Sequence, residues 1–357
     1  MMHWQQQAEL ITKALDVWFS SDLLQQAIER TVKERLFTHH DIQYSLDQIR
    51  SSVTNNSLTK WGNEAGLDSA SMSDKTILCL HAGNLPLVGF QDVIAVMLSG
   101  YKYAGKVSTK DPYLIPAFLD ILKEDEVQKR IQYNHKLDNY KGLQADAVMF
   151  SGSGESIKEV RNKIKRLNSV SPCYKSLIRT AGFSMVYMNH KDKKSLKALA
   201  EAILRYEGKG CRSVAMIVSP IKPDEVIERL GELMEEYWEN NPPLRTLSPK
   251  TKYRYAYNKA LGKDQQIFRH ILFQQDGLEL DNDDIIYWAQ GDVDLAQKLA
   301  ESNLMRIQNI YTVTDNLKLL GFEDRMAPLA SAQSPPISWK PDGFDPLDWL
   351  IQTFQNE

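Results

Sequence analysis

The sequence predicts an α/β fold built on parallel sheet, preceded by a helical N-terminal segment. Two observations carry that prediction. From Thr76 onward, short apolar runs alternate with helical stretches at the spacing of strand–helix–strand units; before Thr76, apolar residues recur at three- and four-residue steps with no strand among them. Composition agrees: 357 residues, 43% hydrophobic and 25% charged, describe a soluble globular chain with room for two or three domains. A formal net charge of −3 provides no global field for nucleic acid or an anionic membrane.

In order along the chain, Leu10, Ile11, Leu15, Trp18, Phe19, Leu23, Leu24, Ile28, Val32 and Leu36 make the apolar stripes of amphipathic helices, with Ser21-Asp22 a cap between two of them. The Asn-, Ser- and Gly-rich stretch Thr54–Asp74 reads as a connector. Thr76–His81, Tyr101–Val107, Ile131–Asn134 and Ala145–Phe150 read as strands, with helices over Pro86–Leu98, from Asp111-Pro112, and over Ser153–Leu167. Ser176–Thr180, Ser184–Met188 and Val214–Ser219 follow as strands, the last two separated by a helical run Lys193–Tyr206. A helix from Pro223 to Trp238 precedes an irregular basic-aromatic stretch, Pro242–Tyr257, which reads as a solvated loop plus a helix face. Phe268–Gln274, Ile285–Trp288 and Ile307–Thr314 complete the strands, with Val293–Ser302 a helix. Asp281–Asp284 lacks the spaced glycine and terminal glutamate of a calcium loop and reads as a turn. Cys79, Cys173 and Cys211 are too few and too scattered for a disulfide framework or a zinc site, so no metal is expected and a reducing cytoplasm is the natural setting. No run is long enough for a membrane span, and Met1-Met-His-Trp-Gln-Gln-Gln lacks a leader pattern.

Ligands of parallel α/β sheets bind beyond the strand ends, and three such loops have suitable chemistry. His81-Ala-Gly-Asn-Leu-Pro86 is a rigid turn that can aim the Asn84 amide at an oxyanion, or can simply cap a helix. Gly105-Lys-Val-Ser-Thr-Lys110 ends a strand with cations and hydroxyls that suit an anionic ligand. Phe150-Ser-Gly-Ser-Gly-Glu155 feeds small residues into a helix start, where backbone N–H groups meet phosphate. Between a helix and the apolar run Val214–Val218 lies Tyr206-Glu-Gly-Lys-Gly-Cys-Arg-Ser213, where Cys211 reads either as a nucleophile or as a small hydrophobe opening a core strand.

Taken together and in this order, these segments resemble the aldehyde dehydrogenase superfamily, in its acyl-CoA reductase branch, as in the long-chain fatty acid reductases of bacterial bioluminescence. Gly83-Asn-Leu-Pro86 is similar to the family's aromatic-Asn-aromatic-Pro turn, which implies Asn84 as the oxyanion-hole amide. Gly105-Lys-Val-Ser108 is similar to its Lys-Pro-Ser strand end, and Phe150-Ser-Gly-Ser153 to its Phe-Thr-Gly-Ser loop. These imply cofactor contacts from Lys106, Ser108, Thr109, Lys110, Gly152 and Ser153. Gly208-Lys-Gly-Cys211 matches Gly-Gln-x-Cys, which makes Cys211 the implied nucleophile. The tail from Arg325 to Gly343 resembles the end of the bioluminescence reductases. The implied architecture is a helical segment 1–74 packing on a Rossmann-like NAD(P) domain at 75–182, a catalytic α/β domain at 183–324, and a return of 325–357 to the cofactor domain.

Two departures refine the implied chemistry. The counterpart of the Glu-Leu-Gly-Gly segment, which supplies the water-activating base in hydrolytic members, is Arg179-Thr-Ala-Gly182, with no carboxylate. Thr109 and Lys110 stand where an acidic residue would bind ribose hydroxyls, and a cation tolerates a 2′-phosphate. The resemblance therefore implies NADPH-dependent reduction (NADH staying open) of a thioester on CoA or acyl carrier protein, through an acyl group on Cys211. Lys209 and Arg212 flank that thiol and could lower its pKa. CoA-acylating aldehyde oxidation, acyl-phosphate reduction and a non-catalytic scaffold subunit remain the alternatives. The chain is shorter than typical members, which implies reduced oligomerisation strands and leaves homo-oligomer formation open.

Overall fold

A computed structural model describes residues 4–67, 73–122, 130–180, 182–275, 284–314 and 317–354. The chain forms two compact units, Met1–Thr180 with Pro336–Glu357, and Ala181–Pro335.

The first unit opens with four helices: α1 (Trp4–Phe19), α2 (Asp22–Lys33), α3 (His39–Ser52) and α4 (Asn55–Glu64). Ser21 caps α2 by accepting from the Leu24 N–H, as its position between two apolar stripes predicts. The last helix corrects the expectation of a connector. Thr54 and Ser57 form a capping box, and the Leu58 and Trp61 side chains that follow are buried. Then come β1 (Thr76–Leu80), α5 (Phe90–Leu98), β2 (Lys102–Lys106), α6 (Leu114–Leu122), β3 (Ile131–Asn134), β4 (Ala145–Ser151), α7 (Ile157–Arg166) and β5 (Val170–Arg179). The strands form a parallel sheet in the order β3-β2-β1-β4-β5. Because side chains alternate along a strand, Ile77, Cys79, Ala147 and Met149 face one apolar layer while Leu78, Leu80, Val148 and Phe150 face another. The first layer is the deeper: α1 to α6 contribute to it, and Trp18 packs at ring-centroid distances of 5.9 Å from Phe90 and 5.3 Å from Phe118. On the second face α7 buries only Ile164 fully, packs Ile157 and Val160 partly buried beside it, and otherwise carries Asn162 and charged residues.

The second unit is a seven-stranded sheet in the order β12-β11-β6-β7-β10-β9-β8. In sequence its elements are β6 (Phe183–Tyr187), α8 (Lys193–Leu204), β7 (Val214–Ser219), α9 (Ile227–Asn240), α10 (Pro249–Ala260), β8 (Gln265–Phe268), β9 (Ile271–Gln274), β10 (Ile285–Gln290), α11 (Val293–Ser302), β11 (Ile307–Thr312) and β12 (Met326–Pro328). All pairs are parallel except β8–β9. One expectation changes here. The single strand Phe268–Gln274 is the turn and second arm of a hairpin that reverses at Arg269, whose φ is 46°. The basic-aromatic stretch contains α10, started by Ser248 accepting from the Thr251 N–H with Pro249 in the first turn. Of the acidic run, Asp281–Asp283 lie outside the described residues. Residues from Pro336 rejoin the first unit and end in α12 (Pro346–Phe354). The Trp61 indole N–H donates to both Asp345 carboxylate oxygens there, and the Gln91 amide donates to the carbonyls of Ile337 and Trp339.

Candidate active site

In the first sheet the chain runs from β1 outward to β2 and β3, then returns to the other side of β1 for β4. The C-terminal ends of β1 and β4 are therefore a topological switch point, where parallel sheets open a crevice for ligands. The loops singled out in the sequence leave from this edge. After β1, His81 is buried, its Nε2 lies 2.6 Å from the Tyr103 hydroxyl, and burial pushes its pKa down to about 4. It is thus a neutral brace beneath the turn. Asn84 is exposed at the tip of that turn. Gly83 lets the turn press on the next loop: a Cβ there would fall 2.2 Å from Ser108 Oγ. Leu87, with φ 60°, donates its N–H to Asp111 Oδ2 at 2.8 Å, tying the start of α5 to the loop after β2. Burial raises the Asp111 pKa to about 6.

Lys106 ends β2 half-buried and makes no ion pair among the described residues; burial, then the charge of Lys163, lowers its pKa. Ser108 is buried, and its hydroxyl accepts from the Lys110 N–H at 3.2 Å, while Thr109 and Lys110 are exposed. After β4, Gly152 is half-buried and Ser153 exposed, and nothing lies within 4 Å of where a Gly154 side chain would begin, so the approach to the helix start is open. An unpaired ammonium on one side and an open helix start on the other fit a phosphate-bearing nucleotide. Asn84, Lys106, Gly152 and Ser153 thus share one sheet edge.

Arg179, which the sequence places where hydrolytic relatives carry their base, points into the first unit. Its guanidinium pairs with Asp92 of α5 and donates to Ser151 Oγ at 2.8 Å, both charged side chains being 5% exposed. Asp92 is consumed by the pair, and the carboxylate that reaches this segment, Asp342, accepts the Thr180 N–H at 2.6 Å.

Cys211 belongs to the second unit and precedes β7, at the N-terminal end of a strand. The other cysteines differ from it: Cys79 is buried in β1 and Cys173 is exposed on β5, whereas Cys211 is half-exposed in a turn closed by the Ser213 N–H on the Gly210 carbonyl. Ser184 of β6 donates its hydroxyl to the Cys211 carbonyl at 2.9 Å, and the Ser184 N–H donates to the Ser213 carbonyl. The Tyr311 phenol is shifted up by burial, against the charge of Arg212, so these side chains share the neighbourhood of the thiol. The Lys209 ammonium bonds the Glu207 carboxylate at 2.5 Å, which makes it the counter-ion of Glu207. Burial pushes the Glu207 carboxyl up, but Lys209 and Arg245 outweigh it and hold the pKa below its ordinary value. The carboxylate nearest Cys211 in sequence is therefore saturated with donors and unsuited to activate water. Sequence reading missed Asp92, Arg245 and Asp284, whose partners are distant in the chain.

Among solved structures the fold has clear counterparts. Aldehyde dehydrogenase 21 from Physcomitrella patens superposes with a TM-score of 0.63 at 10% identity, covering 96% of this chain and 82% of that one. The aldehyde dehydrogenase KauB from Pseudomonas aeruginosa gives 0.63 at 13%, covering 97% and 80%. An NAD-dependent benzaldehyde dehydrogenase from Corynebacterium glutamicum gives 0.63 at 13%, covering 88% and 77%. At these identities the likeness establishes the fold: aldehyde dehydrogenase-like, with the helical N-terminal segment. Curated proteins yield no match. The sequence profile described as LuxC, acyl-CoA reductase, matches residues 5–318. The chain belongs to the LuxC acyl-CoA reductase family. As a LuxC-family member it is an oxidoreductase acting on acyl and aldehyde groups, and the resemblance drawn from the four loops holds. No helix among the described residues is long and apolar enough to cross a membrane.

Proposed function

We propose that this LuxC-family chain reduces an acyl thioester, carried on CoA or acyl carrier protein, to the aldehyde through an acyl group held on Cys211. The observation that carries this reading is the setting of Cys211: a half-exposed cysteine on a loop pinned by Ser184, with Glu207, the carboxylate nearest to it in sequence, already held by Lys209 and two backbone N–H groups. The thiolate attacks the thioester carbonyl, the tetrahedral oxyanion is stabilised by the Asn84 amide and the Cys211 N–H, and the carrier thiol departs. With Arg179 in place of a base, the acyl-enzyme resists hydrolysis. Lys106, Gly152 and Ser153 hold the nicotinamide nucleotide, and Lys110 favours the 2′-phosphate of NADPH. When bound, that nucleotide supplies the hydride.

Intact mass after addition of acyl-CoA without NADPH tests the nucleophile. Wild type gains the acyl mass and Cys211→Ser does not; equal labelling of both defeats the assignment. Initial rates with NADPH and NADH test the cofactor. NADPH is used better, and Lys110→Glu narrows or reverses the preference; an unchanged ratio removes Lys110 from the reading.

A further inference from the structure

Just ahead of Cys211, Tyr206, Glu207 and Gly208 have φ values of 55°, 57° and 71°. For glycine this conformation is free of side-chain strain, but Tyr206 and Glu207 are both strained in it. Such strain persists only where surrounding contacts over-determine it. Those contacts are specific and reciprocal. The Glu207 carboxylate accepts the backbone N–H groups of Leu244 at 2.5 Å and Arg245 at 3.0 Å, besides the Lys209 ammonium. In return the Arg245 guanidinium donates to the Glu207 carbonyl and pairs with Asp284 at 2.7 Å. Glu207 and Asp284 are buried, so the grip is made in a low dielectric, where charged hydrogen bonds are strong. Four charges of balanced sign are spent on one strained turn, and the residue that turn delivers is the thiol. A glycine at 207 would relieve the strain at that residue without any of them, leaving only Tyr206 strained.

We propose that this reciprocal clamp between Glu207 and Arg245, anchored on Asp284, positions Cys211 for acyl transfer, making all three positioning residues; the purpose, though not the clamp, rests on Cys211 being the acyl acceptor. Hydrogen exchange tests the clamp without substrate. In full-length Glu207→Gln and Arg245→Met, amides of residues 209–213 exchange at least about tenfold faster than in wild type, as expected for losing a charged hydrogen bond, while peptides of β1 and β4 do not change. Unchanged exchange overturns the clamp. Acylation by hexanoyl-CoA and by palmitoyl-CoA, followed by intact mass, tests the purpose. Both variants acylate about a hundredfold more slowly, with the concentration of acyl-CoA giving half-maximal rate unchanged. Arg245→Lys, which keeps one donor, recovers some of the rate. Glu207→Gly, which relaxes the backbone, is as stable as wild type yet acylates slowly; acylation at the wild-type rate in it and in Glu207→Gln overturns the positioning role. Should Arg245→Met not fold, Glu207→Gln and Glu207→Gly decide both points. Wild type that acquires no acyl mass brings down the reading of Cys211, and hydrogen exchange then decides the clamp by itself.

Discussion

Each unit buries an arginine against a carboxylate, but the two arrangements are built for different ends. In the first unit, Arg179 and Asp92 are both 5% exposed and join the end of a strand to a helix, regular elements in relaxed backbone. In the second unit, the Arg245 side chain keeps 20% of its surface in solvent and spends its donors on a carbonyl as well as on Asp284, to hold backbone that alone would not adopt its shape. The first pair closes the fold beneath a ligand edge. The second trades regularity for the placement of one loop. An arginine in a core is therefore not a single kind of device: what it grips decides whether its loss costs stability or geometry.

The largest expected effect follows directly. Arg179→Met leaves Asp92 charged and buried without its partner and costs about 3–5 kcal/mol in urea unfolding, whereas Arg245→Met, at a more exposed site with Thr251 still near Asp284, costs about half that. A larger loss from Arg245→Met breaks the comparison. Acid sharpens it next. His81 in the first unit and His270 in the second each have a pKa lowered to about 4 by burial, so each contributes stability that is complete above 6.5 and lost as pH falls towards 4, about 3 kcal/mol apiece. In the first unit this is opposed by Asp111, raised to about 6, whose contribution is complete below 3.8 and lost as pH rises through 6. The second unit has Glu207 instead, held low and so acting in the same direction as His270. Between pH 7 and pH 5 the second unit should weaken more, measurable as exchange of β7 and β10 peptides against those of β1 and β4; the reverse order contradicts the assignment. A smaller effect belongs to Gly83→Ala, which must push apart the loops after β1 and β2 at the ligand edge and costs about 1–3 kcal/mol in thermal unfolding. Arg229→Ala, removing an exposed pair with Glu232, should stay within about 0.5 kcal/mol.

Much of this architecture is legible in the sequence because its signals are local. Strand ends followed by Gly, Asn and Pro, or by Ser-Gly-Ser, mark where loops leave the sheet, and Cys211 stands out by its place between a helix and an apolar run. The misread stretches failed for physical reasons. Thr54 and Asn55 look like a connector, yet Thr54 and Ser57 are each other's cap and Trp61 supplies the burial that sustains the helix. Between Phe268 and Gln274 the apolar run is interrupted only by Arg269-His270, and nothing in arginine announces a left-handed φ. The buried charges were illegible altogether. Asp92 meets Arg179 across 87 positions and Glu207 meets Arg245 across 38, so neither partner carries a sign of the other.

The bond from Trp61 to Asp345 has a consequence for how the molecule is made. On a ribosome the first unit emerges first but lacks the segment from Pro336 onward until the whole second unit, one unbroken stretch, has been made. Of the two units, the one begun earlier is thus the one completed later, and Trp61 waits 284 residues for its partner.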